Sequence, residues 1–207
     1  MEQAVATLMS FVSWVGGPMV VLSGATVLVA YSLFVWSALF GPFVPNKATW
    51  TVWCVQDGLM AIFARSGENK SVAMLPGAWA SGALVLVFIA FFIKGKNEPL
   101  KREEKACLAL SGVGIFLSFV LGPTAGLVAT MASAYVGGWP TLEKAWKDPT
   151  SEPGLGWILM LTASSFAMLG IEEWDFASGF LPVAAAVLQV NILIPITLHR
   201  IKTYARR

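Results

Sequence analysis

Four carboxylates sit where an apolar chain rarely places charge: Glu172, Glu173 and Asp175 around Trp174 in LGIEEWDFASGFLP (169–182), and Asp57 in the middle of ATWTVWCVQDGLMAIFARS (48–66). Acids like these can hold a cation or relay a proton at membrane depth, where ionisable groups mark ion paths. The local alternative for the 172–175 group is capping. Asp175 directly precedes the apolar run beginning at Phe176, where a side-chain oxygen can accept from free backbone N–H groups, and a helix start favours negative charge. Capping explains the cluster without a ligand, whereas an ion or proton site would join these three acids to Asp57.

Other chemistry is scarce. Cys54 and Cys107 lie far apart without CxxC spacing, and His199 is the only histidine, so no zinc or iron–sulfur ligand set and no bis-histidine haem is available within the chain. His199 beside Arg200 reads as an interfacial anchor. Every lysine falls at a loop or tail, which argues against a retinal protein. No nucleophile–base pair, phosphate loop or HExxH motif is present. The expectation is a protein that is not an enzyme and carries no metal or cofactor. The net charge of +2 is small and dispersed, so nucleic acid is not an expected partner.

The elements that position these residues are membrane elements. The chain has 207 residues, 57% hydrophobic and 13% charged, with apolar runs of bilayer-spanning length that lack the alternation of barrel strands. The fold class is all-α: a polytopic integral membrane protein forming one helical membrane domain over 1–207. Residues 2–15 read as an amphipathic surface helix, with Gly16-Gly17-Pro18 as the corner into the first span. With no Lys or Arg before Lys47, a cleavable signal is not expected. Spans are expected at 19–43, 71–93, 106–136 and 176–198. The 106–136 run would be about 46 Å long as one helix at ~1.5 Å per residue, so it must tilt, protrude or kink at Gly122-Pro123.

Two pieces remain ambiguous. The 48–64 segment carries Gln56 and Asp57 at its centre, and a central Asp costs a few kcal/mol on insertion scales, so an interfacial helix is favoured over a span. The 155–171 segment is short and suits a re-entrant or interfacial helix. The expected map is four spans plus these two segments, with five or six spans left open.

Gly114, Ser118, Gly122, Gly126, Thr130, Ala134 and Gly138 recur at every fourth position, a small-residue series that lets helices approach closely, within the chain or in a partner-subunit or homo-oligomer seam. Gln189 and Asn191 in the last span suggest polar contacts with a neighbouring helix, each worth ~1 kcal/mol or less. Lys and Arg concentrate in the 94–105 linker and the 200–207 tail, which belong on the cytoplasmic face. That demands an even number of crossings between them, places both termini inside, and suits a bacterial inner membrane. The leading functional expectation is a non-catalytic subunit packing with other membrane subunits in a larger inner-membrane assembly, such as a secretion or conjugation apparatus or an energy-transducing complex. The alternative is a small oligomeric cation- or proton-conducting transporter or channel that uses the outer-face carboxylates.

Overall fold

The computed structural model describes residues 2–66, 74–94, 99–121 and 123–205. Among them it is all helix: α1 Glu2–Phe40, α2 Lys47–Ser66, α3 Met74–Ile89 continued by a π turn over Ala90–Lys94, α4 Arg102–Val120, α5 Pro123–Lys147, α6 Gly154–Leu169 and α7 Phe176–Tyr204, with a 3-10 turn at Pro149–Ser151. Three stretches, Gly17–Phe40, Leu75–Lys94 and Ser178–Tyr204, are long and apolar enough to cross a membrane. Their outward faces are apolar too: Leu28 and Trp36 on α1, Leu84 and Phe88 on α3, Val183, Val187 and Val190 on α7 are all exposed. Apolar surface both inside and outside is compatible with a membrane-embedded protein.

Six helices close a ring. Helix α1 packs on α3 and α6, α2 on α3 and α5, and α7 on α5 and α6, while α4 stands outside against α5 and α2. Side-chain contacts set the directions. Ser23 of α1 donates to Ala163 O of α6 at 2.7 Å, and Phe34, eleven positions on, lies against Gly156, so α1 and α6 are antiparallel. The Trp53 indole N–H of α2 donates to Ala134 O of α5 at 3.0 Å, and Gln56 donates to Thr130 O, one turn further along in each direction. Tyr135 OH of α5 reaches Ala184 O of α7 at 2.7 Å. Such bonds hold the seams where apolar packing alone has little orienting power.

Large aromatic side chains fill the centre of one half. Phe34 of α1 meets Trp50 of α2 and Trp157 of α6 at ring-centroid distances of 5.6 and 5.0 Å, both edge to face. Phe43, from the α1–α2 connection, joins the group at 5.8 Å from Phe34. These four rings are essentially fully buried.

Several expectations change. The stretch 106–136 is not one span but a hairpin: α4 ends at Val120, α5 starts at Pro123, and the two run back along each other. Ser111 Oγ donates to Ser133 O at 3.0 Å and Ser133 Oγ to Ser111 O at 2.8 Å. The break falls where a proline removes an N–H and biases its predecessor away from helix. Gly122 itself lies outside the described residues, while Gly114 faces Ala129 and Ser133, and Gly126 faces the Ser118 carbonyl. Of the small-residue series, Gly114, Ser118 and Gly126 lie at the contact between the two arms of the hairpin, while Thr130, Ala134 and Gly138 meet Gln56 and Trp53 of α2.

The 48–64 and 155–171 segments both form part of the helical ring. Helix α2 buries Trp50, Val52, Trp53 and Gln56, and α6 packs lengthwise between α1 and α7; both run from one end of the ring to the other. Between the 99–101 linker residues and the tail the chain forms four helices, α4 to α7. No corner interrupts 16–18: α1 continues through Pro18, losing one backbone bond at most. The apolar face expected on 2–15 lies outside the described side chains. Helix α1 therefore approaches from the end opposite the tail, where the sequence map placed both termini together.

The two ends differ in charge. One gathers Lys47, Arg102, Lys144, Lys147, Arg200 and Lys202 together with Glu104, Glu143, Asp148 and Glu152; the other holds Glu172, Glu173 and Asp175. At the basic end Asn46 donates to Glu104, Lys144 Nζ donates to Val44 O at 3.0 Å, and Gly154 lies against Ile196 and Arg200.

Close approach makes the glycines unequal. A Cβ on Gly82 would lie 2.1 Å from Tyr31 Cγ, and one on Gly126 2.6 Å from the Ser118 carbonyl oxygen, whereas one on Gly112 meets nothing within 4 Å. Overpacking costs about 1–3 kcal/mol, while Ala is favoured over Gly inside a helix by roughly 1 kcal/mol. Gly82→Ala and Gly126→Ala should each lower the thermal midpoint in detergent, followed by tryptophan fluorescence, whereas Gly112→Ala should leave it unchanged or raise it. Equal midpoints for all three would refute the hairpin and the α1–α3 contact.

Candidate functional site: a cavity inside the ring

Trp53, Gln56, Asp57 and Met60 follow one another at i, i+3, i+4 and i+7, the spacing of one helical face, and all four line a cavity at the middle of the ring. Every helix of the ring contributes to its wall: Tyr31 from α1, Trp79 from α3, Thr130 from α5, Trp157 from α6 and Gln189 from α7 complete the chemically distinctive part. The free space is about 60 Å³, enough for a few waters at ~10–15 Å³ each. Asp57 lies ten positions into α2, ~15 Å along the helix from the basic end, so it stands near mid-height.

Some polar groups on the wall are satisfied. Gln189 Oε1 accepts from Ser164 Oγ at 3.0 Å, and Thr130 Oγ1 donates to Gly126 O at 2.8 Å. The indole N–H groups of Trp53 and Trp157 both have acceptors, at 3.0 and 3.1 Å. Others are not. Gln56 is 1% exposed, yet its Oε1 receives no hydrogen bond, and Trp79, 5% exposed, has no acceptor for its indole N–H. Among the described residues the Asp57 carboxylate has neither a hydrogen-bond donor nor a counter-ion, and it is the only charged group on the cavity wall. An unmet buried polar group costs about 1–3 kcal/mol; besides Thr49, Trp50 and Thr51 elsewhere on α2, two such groups, Gln56 Oε1 and the Trp79 indole N–H, fall on this otherwise apolar and aromatic wall.

The basic end carries a buried clasp. Lys144 Nζ contacts Glu152 Oε1 at 3.1 Å, with the Glu152 side chain fully buried. Glu152 Oε2 accepts from the Trp157 indole N–H at 3.1 Å, and the ammonium sits 5.1 Å above the Phe43 ring. The pair thus ties α5, α6 and the 41–46 connection together and sets the orientation of one aromatic wall of the cavity. Burial pushes the Glu152 carboxyl above its ordinary range, outweighing the Lys144 charge and the Trp157 hydrogen bond.

On the outside, α1 and α3 frame a groove of about 440 Å³, lined by Leu28, Trp36, Phe40, Gly82 and Val85. Tyr31 lines both this groove and the central cavity.

The structure does not bring the four acids together. Glu172, Glu173 and Asp175 are exposed at the end of the ring and contribute nothing to the cavity wall. Asp175 does cap α7, accepting from Ser178 N at 2.7 Å, while its own N–H donates to Ser178 Oγ at 3.1 Å. Gln189 makes the expected contact with a neighbouring helix, but Asn191 bonds back to Val187 O of its own helix at 2.8 Å. Gln56, Tyr31, Trp53, Trp79 and Trp157 were not singled out from the sequence as site residues; the i, i+3, i+4, i+7 face of α2 was the available signal. Comparison with known protein families, characterised proteins and solved structures returns no match.

The clasp makes a signed prediction. Because the folded-state pKa of Glu152 is raised, this group's contribution to stability is fully present below its ordinary value of 4.5 and is lost as pH rises through the folded value. Glu152→Gln keeps an acceptor for Trp157 and removes that loss, so its thermal midpoint should gain on the unaltered protein as pH rises from 4 towards 8 (roughly, the window set by linkage). Lys144→Met strands a buried carboxylate and should cost about 3–5 kcal/mol at neutral pH, part of it recovered in the double variant. A Glu152→Gln protein that loses ground with rising pH would contradict the assignment.

Proposed function

We propose that the chain is a polytopic, membrane-embedded carrier or channel for a monovalent cation, proton included, with Asp57 as its binding group. The observation that carries the reading is the ring of six helices around a cavity whose one charged lining residue is an acid without a partner among the described residues. A carboxylate held at mid-height between apolar helices costs several kcal/mol unless it is neutralised, which a bound cation or proton does. Glu172, Glu173 and Asp175 add negative potential at one end and attract cations from solution there. In the membrane the basic end faces the cytoplasm, in keeping with the positive-inside rule, and the acidic end faces out. An inner bacterial membrane suits this arrangement.

Charge movement in liposomes adsorbed on a solid-supported electrode tests the reading directly. Concentration jumps of H⁺, Na⁺, K⁺ and ammonium should yield a protein-dependent current for at least one ion. Asp57→Asn should reduce that current at least about tenfold, a loss of ~1.4 kcal/mol or more in binding. The Glu172→Gln/Glu173→Gln pair should change it by no more than about fivefold, since exposed charges contribute ~1 kcal/mol or less. Undiminished current in Asp57→Asn, or none from the unaltered protein, would refute the reading. Orientation has its own check in a background lacking Cys54 and Cys107: cysteines at Thr150 and Thr203 should be labelled from the same side, and one at Trp174 from the other. Labelling of positions 150 and 174 from one side would overturn the end-to-end course of α6.

A further inference from the structure

The geometry points to a small protonated amine that also carries a hydrogen-bond acceptor, of the amino-alcohol class, as the cation the cavity takes. This inference rests on the cation reading above and narrows it by the chemistry of the wall. Asp57 supplies the counter-charge, and no Lys, Arg or His lines the space, so an anion would meet only repulsion. Hard alkali and alkaline-earth ions seek several oxygen ligands. Here the oxygens on the wall are the Asp57 carboxylate, Gln56 Oε1, Gln189 Oε1, which already accepts from Ser164, and the Tyr31 and Thr130 hydroxyls, while the rest is indole, thioether and aliphatic, a lining richer in aromatic faces than in oxygen ligands. Aromatic faces attract weakly hydrated organic ammonium ions, the more so when both partners are desolvated. Tyr31, Trp53, Trp79 and Trp157 provide four such side chains, and Met60, Met131 and Met160 add polarizable surface.

The two unpartnered buried groups on the cavity wall define the rest of the ligand. Gln56 Oε1 lacks a donor and the Trp79 indole N–H lacks an acceptor. A single ligand that satisfies both and also neutralises Asp57 must bring a hydrogen-bond donor, a lone pair and a positive charge, which a protonated amino alcohol does and a tetraalkylammonium ion, lacking donor and acceptor, does not. Size agrees: about 60 Å³ of free space accommodates roughly four or five heavy atoms, by comparison with ~10–15 Å³ per water. A zwitterionic lipid headgroup fits poorly, since its phosphate would have to lie near Asp57 with no cation on the wall.

Calorimetric titration of the full chain in phosphatidylcholine nanodiscs tests the inference with ethanolammonium, ethylammonium, tetramethylammonium, potassium and neutral ethylene glycol as probes. Ethanolammonium should bind saturably and at least about tenfold more tightly than ethylammonium, which has the same charge but lacks the acceptor; ethylene glycol should not bind. Trp79→Phe should abolish the preference between the two amines, and Asp57→Asn should weaken both by about tenfold or more. Because these comparisons begin with the unaltered protein, they remain decisive even if a variant fails to fold. Potassium binding or proton current that depends on Asp57, without saturable amine binding, would overturn the amine assignment and leave the cation reading standing. Equal affinity for the two amines would overturn the amino-alcohol assignment and with it the role given to Trp79. No Asp57-dependent binding or current for any cation would remove both readings.

Discussion

Trp50 is the residue the ring is built around. Its indole lies within about 6.4 Å of Tyr31, Phe34, Phe43, Trp53 and Trp157, ring centroid to ring centroid, and it has no solvent exposure. Edge-to-face aromatic pairs are directional, each worth about 0.5–1.5 kcal/mol beyond burial. That directionality matters because burial alone does not tell one helix where to sit against the next. The cluster fixes α1, α2 and α6 relative to one another. The same tryptophans that reach towards it, Trp53 and Trp157, line the cavity. Packing and site therefore share residues.

What could be read from residues alone follows the physics of each signal. Helix formation and the three long apolar stretches were legible, since an unbroken run of apolar side chains has few other structures open to it in lipid. Asp175 was legible as a cap because capping is a local matter of a few residues. The hairpin at 121–123 was harder: the series of small residues at every fourth position continues across Gly122-Pro123 in the sequence, and one helix face and two facing helices produce the same pattern. Asp57 was flagged but misplaced. Its insertion cost was reckoned against lipid, whereas α2 turns that face towards a cavity walled by five other helices, a fact that depends on tertiary contacts no window of sequence contains. Trp79 and Tyr31 carried no signal at all, because a Trp or Tyr in an apolar run is ordinary until its neighbours are known.

Polar side chains divide into two populations with different consequences. Ser23, Ser111, Ser133, Tyr135 and Ser164 each donate to a neighbouring helix, and every such bond marks a seam. Thr26, Ser32, Ser81, Thr162 and Ser165 bond back to the carbonyl four residues earlier, which hides a hydroxyl without specifying any partner. The first group sets the register between helices and the second merely makes a polar residue tolerable on an apolar face. Gln56 belongs to neither population entirely: its amide N–H₂ is committed to the Thr130 carbonyl, a seam bond, while its oxygen is left over.

Tyr31 divides an inner space from an outer one. One face of its ring presses on Gly82, where even a methyl group has no room, and the same side chain borders both the central cavity and the groove between α1 and α3. At this point the partition is a single phenol thick. A slide of α1 past α3 that releases the ring from Gly82 would merge the two volumes and give the cavity a lateral door, facing the medium around the bundle instead of the water at either end. Solutes that partition into the bilayer would then reach Asp57 sideways, and the glycine that makes the contact tight would also be the hinge plate against which that door shuts.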